Sequence, residues 1–313
     1  MQPVFQKIEA NINLSYYAKH QTFKYFPNPL QFHPEIELMY IVHGSGTRFI
    51  GDSFDRFCSG DLVMIGQNVP HLWYSDERYR QENSNLLTEV IYILFRTEIF
   101  GEHFWNLPES KSILKLIQLS QRGIKLTVKC RNEVSSLMKA ICSSSGFSWI
   151  TFILSILEII ASQKDYQVLA SQIVQNNINE SDSERLNKVY KYIINNSQQQ
   201  ITLDKVASIA SLSTSSCCRY FNKRTNKTFI QLLNEIRISH ACRLLTEEDF
   251  PVARICFTCG YDNVSYFIRQ FKEITGFTPL SYRKKYAVWQ IEDFKESFDN
   301  KWYKIYCLLT THY

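Results

Sequence analysis

Two small groups of side chains in this 313-residue chain could do chemistry at a fixed spacing. The first is a pattern that occurs twice, fifty positions apart: Arg219-Tyr-Phe221-Asn-Lys-Arg-Thr225-Asn226-Lys-Thr228 and Arg269-Gln-Phe271-Lys-Glu-Ile-Thr275-Gly276-Phe-Thr278. An arginine at the same offset in both copies offers forked N–H donors that match phosphate oxygens or the acceptor edge of guanine. The second is Cys256-x-x-Cys259. It has half the spacing of a zinc site, but no second Cys or His pair stands at a suitable distance, so one helical turn of small apolar residues is the better account. No group is assigned a catalytic role.

Each copy of the repeat needs an element to hold it. In the first, Leu203, Val206, Ala207 and Ala210 fall on one helical face, Ser211-Leu-Ser213 breaks the helix, and Ser213 is placed to cap the next one. That helix runs to Thr225 and buries Cys217, Tyr220 and Phe221, with Asn226 where a left-handed cap is needed. In the second, Val252, Ile255, Cys256 and Cys259 make the first face, Gly260-Tyr-Asp-Asn263 the turn, and Asn263 the cap. The following helix buries Phe267 and Phe271 and stops at Gly276, with Pro279 just beyond. Residues 229–245 between the copies carry apolar positions at helical period without Pro or Gly. A helix of that length is ~25 Å long at 1.5 Å per residue. It would hold the two units about one DNA turn apart, roughly 34 Å.

Charge supports this division. Residues 185–285 hold 16 Lys+Arg against 7 Asp+Glu, a net of +9, and the remaining residues are net −4, which together give the chain's +5. Positive charge gathered on the repeat-bearing segment draws polyanions. The composition, 45% hydrophobic and 21% charged, is that of an ordinary globular protein. No stretch of 18 uncharged apolar residues predicts a membrane span, the N-terminus lacks the pattern of a signal peptide, and nine cysteines without a framework fit a reducing cytoplasm.

Residues 1 to about 105 read as β, in short Val/Ile/Phe/Tyr runs such as 36–42, 46–50, 61–65 and 87–95 broken by Gly, Asn and Asp. After Pro108 the pattern becomes helical, through residues 113–120, 134–141 and 149–169. The polar stretch 171–184 is the expected linker. The fold class is therefore α+β in four parts: an N-terminal domain 1–170, the linker, an all-α domain 185–285, and an extension 286–313 rich in aromatic residues with no assigned role.

Residues 185–283 resemble the DNA-binding domain of the AraC/XylS family of bacterial transcription regulators. The matching residues are Ile201-Thr-Leu203, Ala207, Ser213, Arg219-x-Phe221, Arg237-x5-Arg243-Leu-Leu245 and Ile255. They continue through Gly260-Tyr-x3-Ser265-Tyr-Phe-x-Arg269-x-Phe-Lys272 and Gly276-x-Thr-Pro279-x3-Arg283. The resemblance implies two helix-turn-helix motifs joined by a linker helix, with the start of each second helix facing the major groove. In this chain those positions are Ser213, Ser215, Ser216, Cys218, Arg219 and Lys223, then Asn263, Val264, Ser265, Ile268, Arg269 and Lys272. Val264 and Ile268 cannot donate hydrogen bonds but can touch thymine methyls. Departures are Cys217 in place of a larger aliphatic, Asn226 in place of Gly, and Cys256 in place of Ala.

The strand-rich half resembles a cupin barrel, through His33-Pro-Glu35-Ile-Glu37-Leu-x-Tyr40-x3-Gly44-x-Gly46 and Gly60-Asp-Leu-x5-Asn68-x-Pro-His71. Gln31 stands where cupin enzymes have a first His, so hydrogen bonding by His33, Glu37 and His71 is expected here, with no metal and no other cofactor. The resemblance implies a small effector, a sugar or related metabolite, in a pocket with His33, Glu37, Tyr40, Phe49, His71 and Trp73 as candidate walls. It also implies a homodimer, with residues 149–161 as the candidate interface, although a core helix fits their pattern equally, promoter DNA and RNA polymerase as partners, and no membrane. The expected protein is a cytoplasmic, effector-responsive transcription regulator and not an enzyme. The alternative is a metal-dependent cupin enzyme with a helical appendage.

Overall fold

Alternating apolar residues with turn signals between them build two antiparallel sheets in the N-terminal half. The computed structural model describes residues 15–26, 30–173, 180–225 and 227–286. Its strands are β1 (Tyr16–Phe23), β2 (Ile36–His43), β3 (Gly46–Ile50), β4 (Ser53–Phe57), β5 (Leu62–Ile65), β6 (His71–Ser75), β7 (Thr88–Phe95), β8 (Ile124–Leu126) and β9 (Tyr166–Val168). Six form one sheet in the order β1-β7-β2-β5-β8-β9, and three form a second in the order β4-β3-β6.

The alternation of side chains across a strand decides what each residue touches. On β2, Ile36 and Leu38 join the buried cluster on the helix side, as do Leu62 and Met64 of β5 and Ile91, Ile93 and Phe95 of β7. Their neighbours Met39, Ile41, Val63, Ile65 and Val90 face the second sheet and pack with Phe26, Ile50, Phe57 and Trp73. The central strands are thus covered on both faces, which is why their sequences read as continuous apolar runs. Burying one such aliphatic side chain contributes about 1.5–3 kcal/mol.

The helices are α1 (Glu77–Arg80), α2 (Gly101–Trp105), α3 (Lys111–Ser120), α4 (Val128–Cys142), α5 (Ser148–Gln163), α6 (Glu180–Asn196), α7 (Leu203–Ile209), α8 (Thr214–Thr225), α9 (Phe229–Glu247), α10 (Val252–Thr258), α11 (Val264–Thr275) and α12 (Pro279–Tyr286). Helices α3, α4 and α5 cover the large sheet. The expectation that the pattern turns helical after Pro108 needs correcting. β8 and β9 return to the large sheet, β8 pairing with β5 and β9 with β8. Three-residue strands are too short to show a period-two pattern. The helix expected over 149–169 accordingly ends at Gln163, capped by Lys164 in left-handed backbone. Strand β1 lies within the region expected to be β. Its sequence, YYAKHQTF, is polar because it is an edge strand with exposed and half-buried positions.

Helix α5 sends Trp149, Ile153, Ile156, Leu157 and Ile160 into the core. The most apolar run of the chain is therefore a core helix on that face.

The chain divides into two compact units, residues 1–194 with 202–232, and residues 195–201 with 233–313. The division falls inside α9. Residues 174–179 of the expected linker, the cap position Asn226 and nearly all of the extension 286–313 lie outside the described residues, while residues 180–184, expected as linker, already belong to α6. No helix among the described residues is long and apolar enough to cross a membrane.

Candidate nucleic-acid interface and a buried polar cluster

The two copies of the repeat form two helix pairs, α7/α8 and α10/α11. Both turns use the same hydrogen bond. Leu212 N–H donates to Ala207 O at 2.9 Å, and Tyr261 N–H donates to Cys256 O at 3.2 Å. Both place one residue at positive φ just before, Ser211 at 54° and Gly260 at 84°. These pairs of positions are 49 apart, yet the caps Ser213 and Asn263 are 50 apart, so the second turn holds one extra residue, Asp262.

Caps fix where each second helix starts. Ser213 Oγ accepts from Ser216 N–H at 3.3 Å, and Asn263 Oδ1 accepts from Tyr266 N–H at 2.8 Å. Thr214 Oγ1 donates to Asp204 Oδ1 at 2.7 Å, which ties the start of α8 to the start of α7. Phe221 and Phe271, the repeated aromatics, are both fully buried. Thr275 Oγ1 donates to Phe271 O at 2.7 Å at the end of α11, and Gly276 follows at φ 77°. The last Thr of each copy starts the next helix. Thr228 Oγ1 accepts from Gln231 N–H and Thr278 Oγ1 from Ser281 N–H, each at 3.2 Å.

The remaining positions split by exposure. On α8, Ser215, Cys218, Arg219 and Lys223 are exposed, and Ser216 is half-buried beside Ser213. On α11, Ser265, Ile268, Arg269 and Lys272 are exposed at i, i+3, i+4 and i+7, one face of a helix. Val264 is half-buried against the core of the second unit. The Arg269 guanidinium lies 5.3 Å from the Tyr266 ring, which restrains it without covering it. Cys217, Cys256 and Cys259 are buried. Burial pushes the thiols of Cys256 and Cys259 up, so they act as small core residues.

The sequence reading missed the residue that positions α11. Asn234 of α9 is 4% exposed. Its Nδ2 donates to Tyr266 Oη at 2.9 Å and to Gln270 Oε1 at 3.0 Å, while Tyr261 Oη donates to its Oδ1 at 3.1 Å. A lone amide on an otherwise apolar helical face was the available signal. Arg237 donates to Ser197 O and Gln199 O, both at 2.8 Å, and Arg283 donates to Leu245 O and Phe250 O. Basic residues counted towards phosphate binding therefore include two that hold backbone carbonyls instead.

In the N-terminal unit, His33, Glu37 and His71 converge on the side of β2 that faces the small sheet. Glu37 Oε2 lies 3.1 Å from His33 Nε2 and 3.2 Å from His71 Nε2. The other ring nitrogens face backbone carbonyls, His33 Nδ1 at 3.2 Å from Glu35 O and His71 Nδ1 at 2.8 Å from Val69 O. A carbonyl only accepts, so each Nδ1 carries a proton. Gln31 Nε2 stands 3.0 Å from His71 Nε2 on the remaining side. Burial alone would raise the Glu37 carboxyl, but the charge of His71 and bonds from both imidazoles hold it well below the usual range. Burial would lower His71, and Glu37 outweighs it, so His71 is raised. The three donor atoms lie within 4.8 Å of one another. Both imidazoles hold Glu37 Oε2, Glu37 Oε1 has no hydrogen-bond partner among the described residues, and an amide, a weak ligand, stands on the fourth side, so the set fits a hydrogen-bonded network better than a coordination sphere.

The other candidate pocket residues are scattered by strand parity. Trp73 faces the small-sheet core with Phe26 and Phe57. Tyr40 packs on the helix side of the large sheet. Phe49 turns outward, its ring centroid 4.8 Å from that of Tyr190 on α6. Tyr40 and Phe49 thus stand on surfaces other than the one that holds the polar cluster.

Glu37→Gln is expected to lower stability by about 2 kcal/mol near pH 6, the cost of a buried imidazolium left without its anion. Since Glu37 is lowered from 4.5, its contribution is complete above that pH and fades as pH falls below it. Since His71 is raised from 6.5, its contribution is complete below that pH and fades as pH climbs through the raised value. Urea unfolding of both proteins across this range should show the wild type most stable between these limits and the variant with a flatter profile. Equal stability near pH 6 would contradict the assignment.

Residues 206–285 match the model of a helix-turn-helix domain family, a span that begins within α7 and runs through α8, α10 and α11. The uncharacterized HTH-type transcriptional regulator YdeC of Bacillus subtilis (strain 168) is 24% identical over 261 residues, 82% of this chain and 86% of that protein. The HTH-type transcriptional activator RhaR of Mannheimia succiniciproducens is 25% identical over 270 residues, 83% of this chain and 88% of its own length. The HTH-type transcriptional regulator GadX of Escherichia coli (strain K12) is 33% identical over 100 residues, 32% of this chain and 36% of that protein. These relatives are named as regulators, which favours that reading over the enzyme alternative. The chain therefore carries an AraC-type helix-turn-helix domain and aligns over more than four fifths of its length with proteins named as transcription regulators.

Proposed function

We propose that this regulator reads two adjacent stretches of duplex DNA with two helix-turn-helix units, α7/α8 and α10/α11, using α8 and α11 as recognition helices. The observation that carries this reading is the matched exposed face. Ser215, Cys218 and Arg219 on α8 stand at the same repeat offsets as Ser265, Ile268 and Arg269 on α11, all exposed, while the repeated Phe residues are buried. The serines and arginines are shared, whereas Cys218 on α8 is matched by Ile268 on α11, so the two helices favour different bases. Ser213, Asn263 and Val264 serve these helices as caps and packing.

In the same proposal the two facing sheets form a cupin-like sensor for a small polar effector. The chain acts as a cytoplasmic homodimer that engages RNA polymerase at promoters. The polar cluster supports an effector rich in hydrogen-bond donors, because Glu37 Oε1 is buried with no hydrogen-bond partner among the described residues. The Phe49–Tyr190 contact supports a route from the sensor to α6. On that helix Arg185 lies with its guanidinium 5.5 Å from the Tyr220 ring of α8.

Selection from a random duplex pool tests the reading. The full-length protein should enrich one bipartite motif, and the logarithm of its affinity should fall with the logarithm of salt by about 0.9 per phosphate neutralised. Equal affinity for selected and scrambled duplexes at about 150 mM salt, where non-specific binding is already weak, would remove the proposal.

A further inference from the structure

A groove of about 870 Å³ opens on the N-terminal unit between α3, the end of α5 and β9, away from the polar cluster. Lys111 and Lys115 line it from α3, one turn apart, and Arg122 continues the same stripe just beyond the helix. Lys164 adds a fourth cation from the C-terminus of α5. It stands at φ 52°, a left-handed position where Gly or Asn is usual and a side chain costs about 1 kcal/mol. Arg122 is anchored through Nε to Ala170 O at 2.8 Å, which leaves the far end of its guanidinium towards the groove.

Glu109 is the single acid on the wall. Among the described residues no carboxylate lies within ion-pair distance of Lys111, Lys115 or Lys164. The groove also has an apolar surface, from Leu119 and Ile173. Ile173 is 52% exposed and immediately precedes the segment leading to α6.

We propose that this groove binds a small organic anion, its apolar body on Leu119 and Ile173 and its acidic group among the four cations. The volume is that of a small-molecule cleft, about 300–1,000 Å³. Uncompensated cations select the charge. A DNA backbone would use the cations but leave the apolar surface idle. A ligand here would touch the chain where it leaves the sheets for α6, so this site could report to the helical part independently of the polar cluster.

Fluorescence titration of the full-length protein tests this with two probes, the anion 1-anilinonaphthalene-8-sulfonate and the neutral N-phenyl-1-naphthylamine. The sulfonate should saturate at one site per chain. The variant K111Q/K115Q/K164Q should weaken it about tenfold, the sum of three exposed charge contacts, and leave the neutral probe unchanged. An unchanged thermal midpoint for this surface variant confirms that its fold is intact. Ile173→Asp should weaken both probes. Unsaturable or absent sulfonate binding, or equal affinity in wild type and triple variant, overturns the proposal. So does a triple variant that loses affinity for random duplex DNA while keeping the sulfonate, which would make the stripe a phosphate-backbone surface.

Discussion

Gly260→Ala should destabilise the C-terminal unit by about 3 kcal/mol, enough to unfold a marginally stable domain. Two effects add. Gly260 sits at φ 84°, where any residue with a Cβ is strained. The new Cβ would also stand 2.7 Å from Ser197 O and 2.8 Å from Gln198 C and O, backbone atoms that cannot rotate away. Nor can that loop retreat freely, because Arg237 holds the carbonyls of Ser197 and Gln199.

Gly276→Ala isolates the first effect. Gly276 has φ 77°, but its Cβ would meet nothing within 4 Å. That variant should lose only about 1–2 kcal/mol, the cost of the left-handed conformation alone. Urea unfolding of the two variants side by side measures the difference. Equal losses would show that the close approach of Gly260 to residues 197 and 198 does not constrain this turn.

The second large effect concerns DNA. Arg219→Ala with Arg269→Ala should cost about 2 kcal/mol or more in affinity for the selected duplex, roughly thirtyfold, since each arginine contact to a base is worth about 1–3 kcal/mol. The two sites share no described partner, so their effects should add. Both side chains are exposed, so the loss should come without unfolding. The single variants separate roles. An arginine that reads a base relaxes the preference at one position, whereas one that holds a phosphate weakens every sequence alike. Anisotropy titrations against the selected duplex and its single-base variants give both readouts. Binding of the double variant within threefold of wild type would move DNA recognition to another face.

Much of this was legible before the fold was known, for physical reasons that differ by region. The repeat announces itself because its Phe residues and the last Thr of each copy do the same local work twice: the first fill the space under a helix and the second satisfy backbone groups at the start of the next. Caps such as Ser213 and Asn263 are readable because they act over three residues of sequence. The central strands are readable because burial on both faces makes them apolar without interruption. The polar cluster was legible only through the resemblance to a cupin barrel, which singled out His33, Glu37 and His71 at its motif positions. Its closure by Gln31 and the orientation of its rings were not.

The unreadable parts depend on long-range neighbours. Asn234 looks like a polar intrusion in an apolar helix until Tyr261, Tyr266 and Gln270 converge on it from elements some thirty residues away. Arg237 and Arg283 look like phosphate ligands until the carbonyls they hold are in view. Strands β8 and β9 are too short to carry a signal and exist only because β5 offers an open edge.

The sequence by itself determined that there are two like helix pairs, where each second helix starts, and that a basic helical segment follows a strand-rich one. These are properties of local spacing, and local spacing survives in a one-dimensional string. Only the tertiary structure decided which side chains share a surface. It sent Tyr40 to the helices, Phe49 to Tyr190 and Trp73 to the core between the sheets, because one residue's step along a strand reverses the face, and which face meets which layer is settled only when the layers pack.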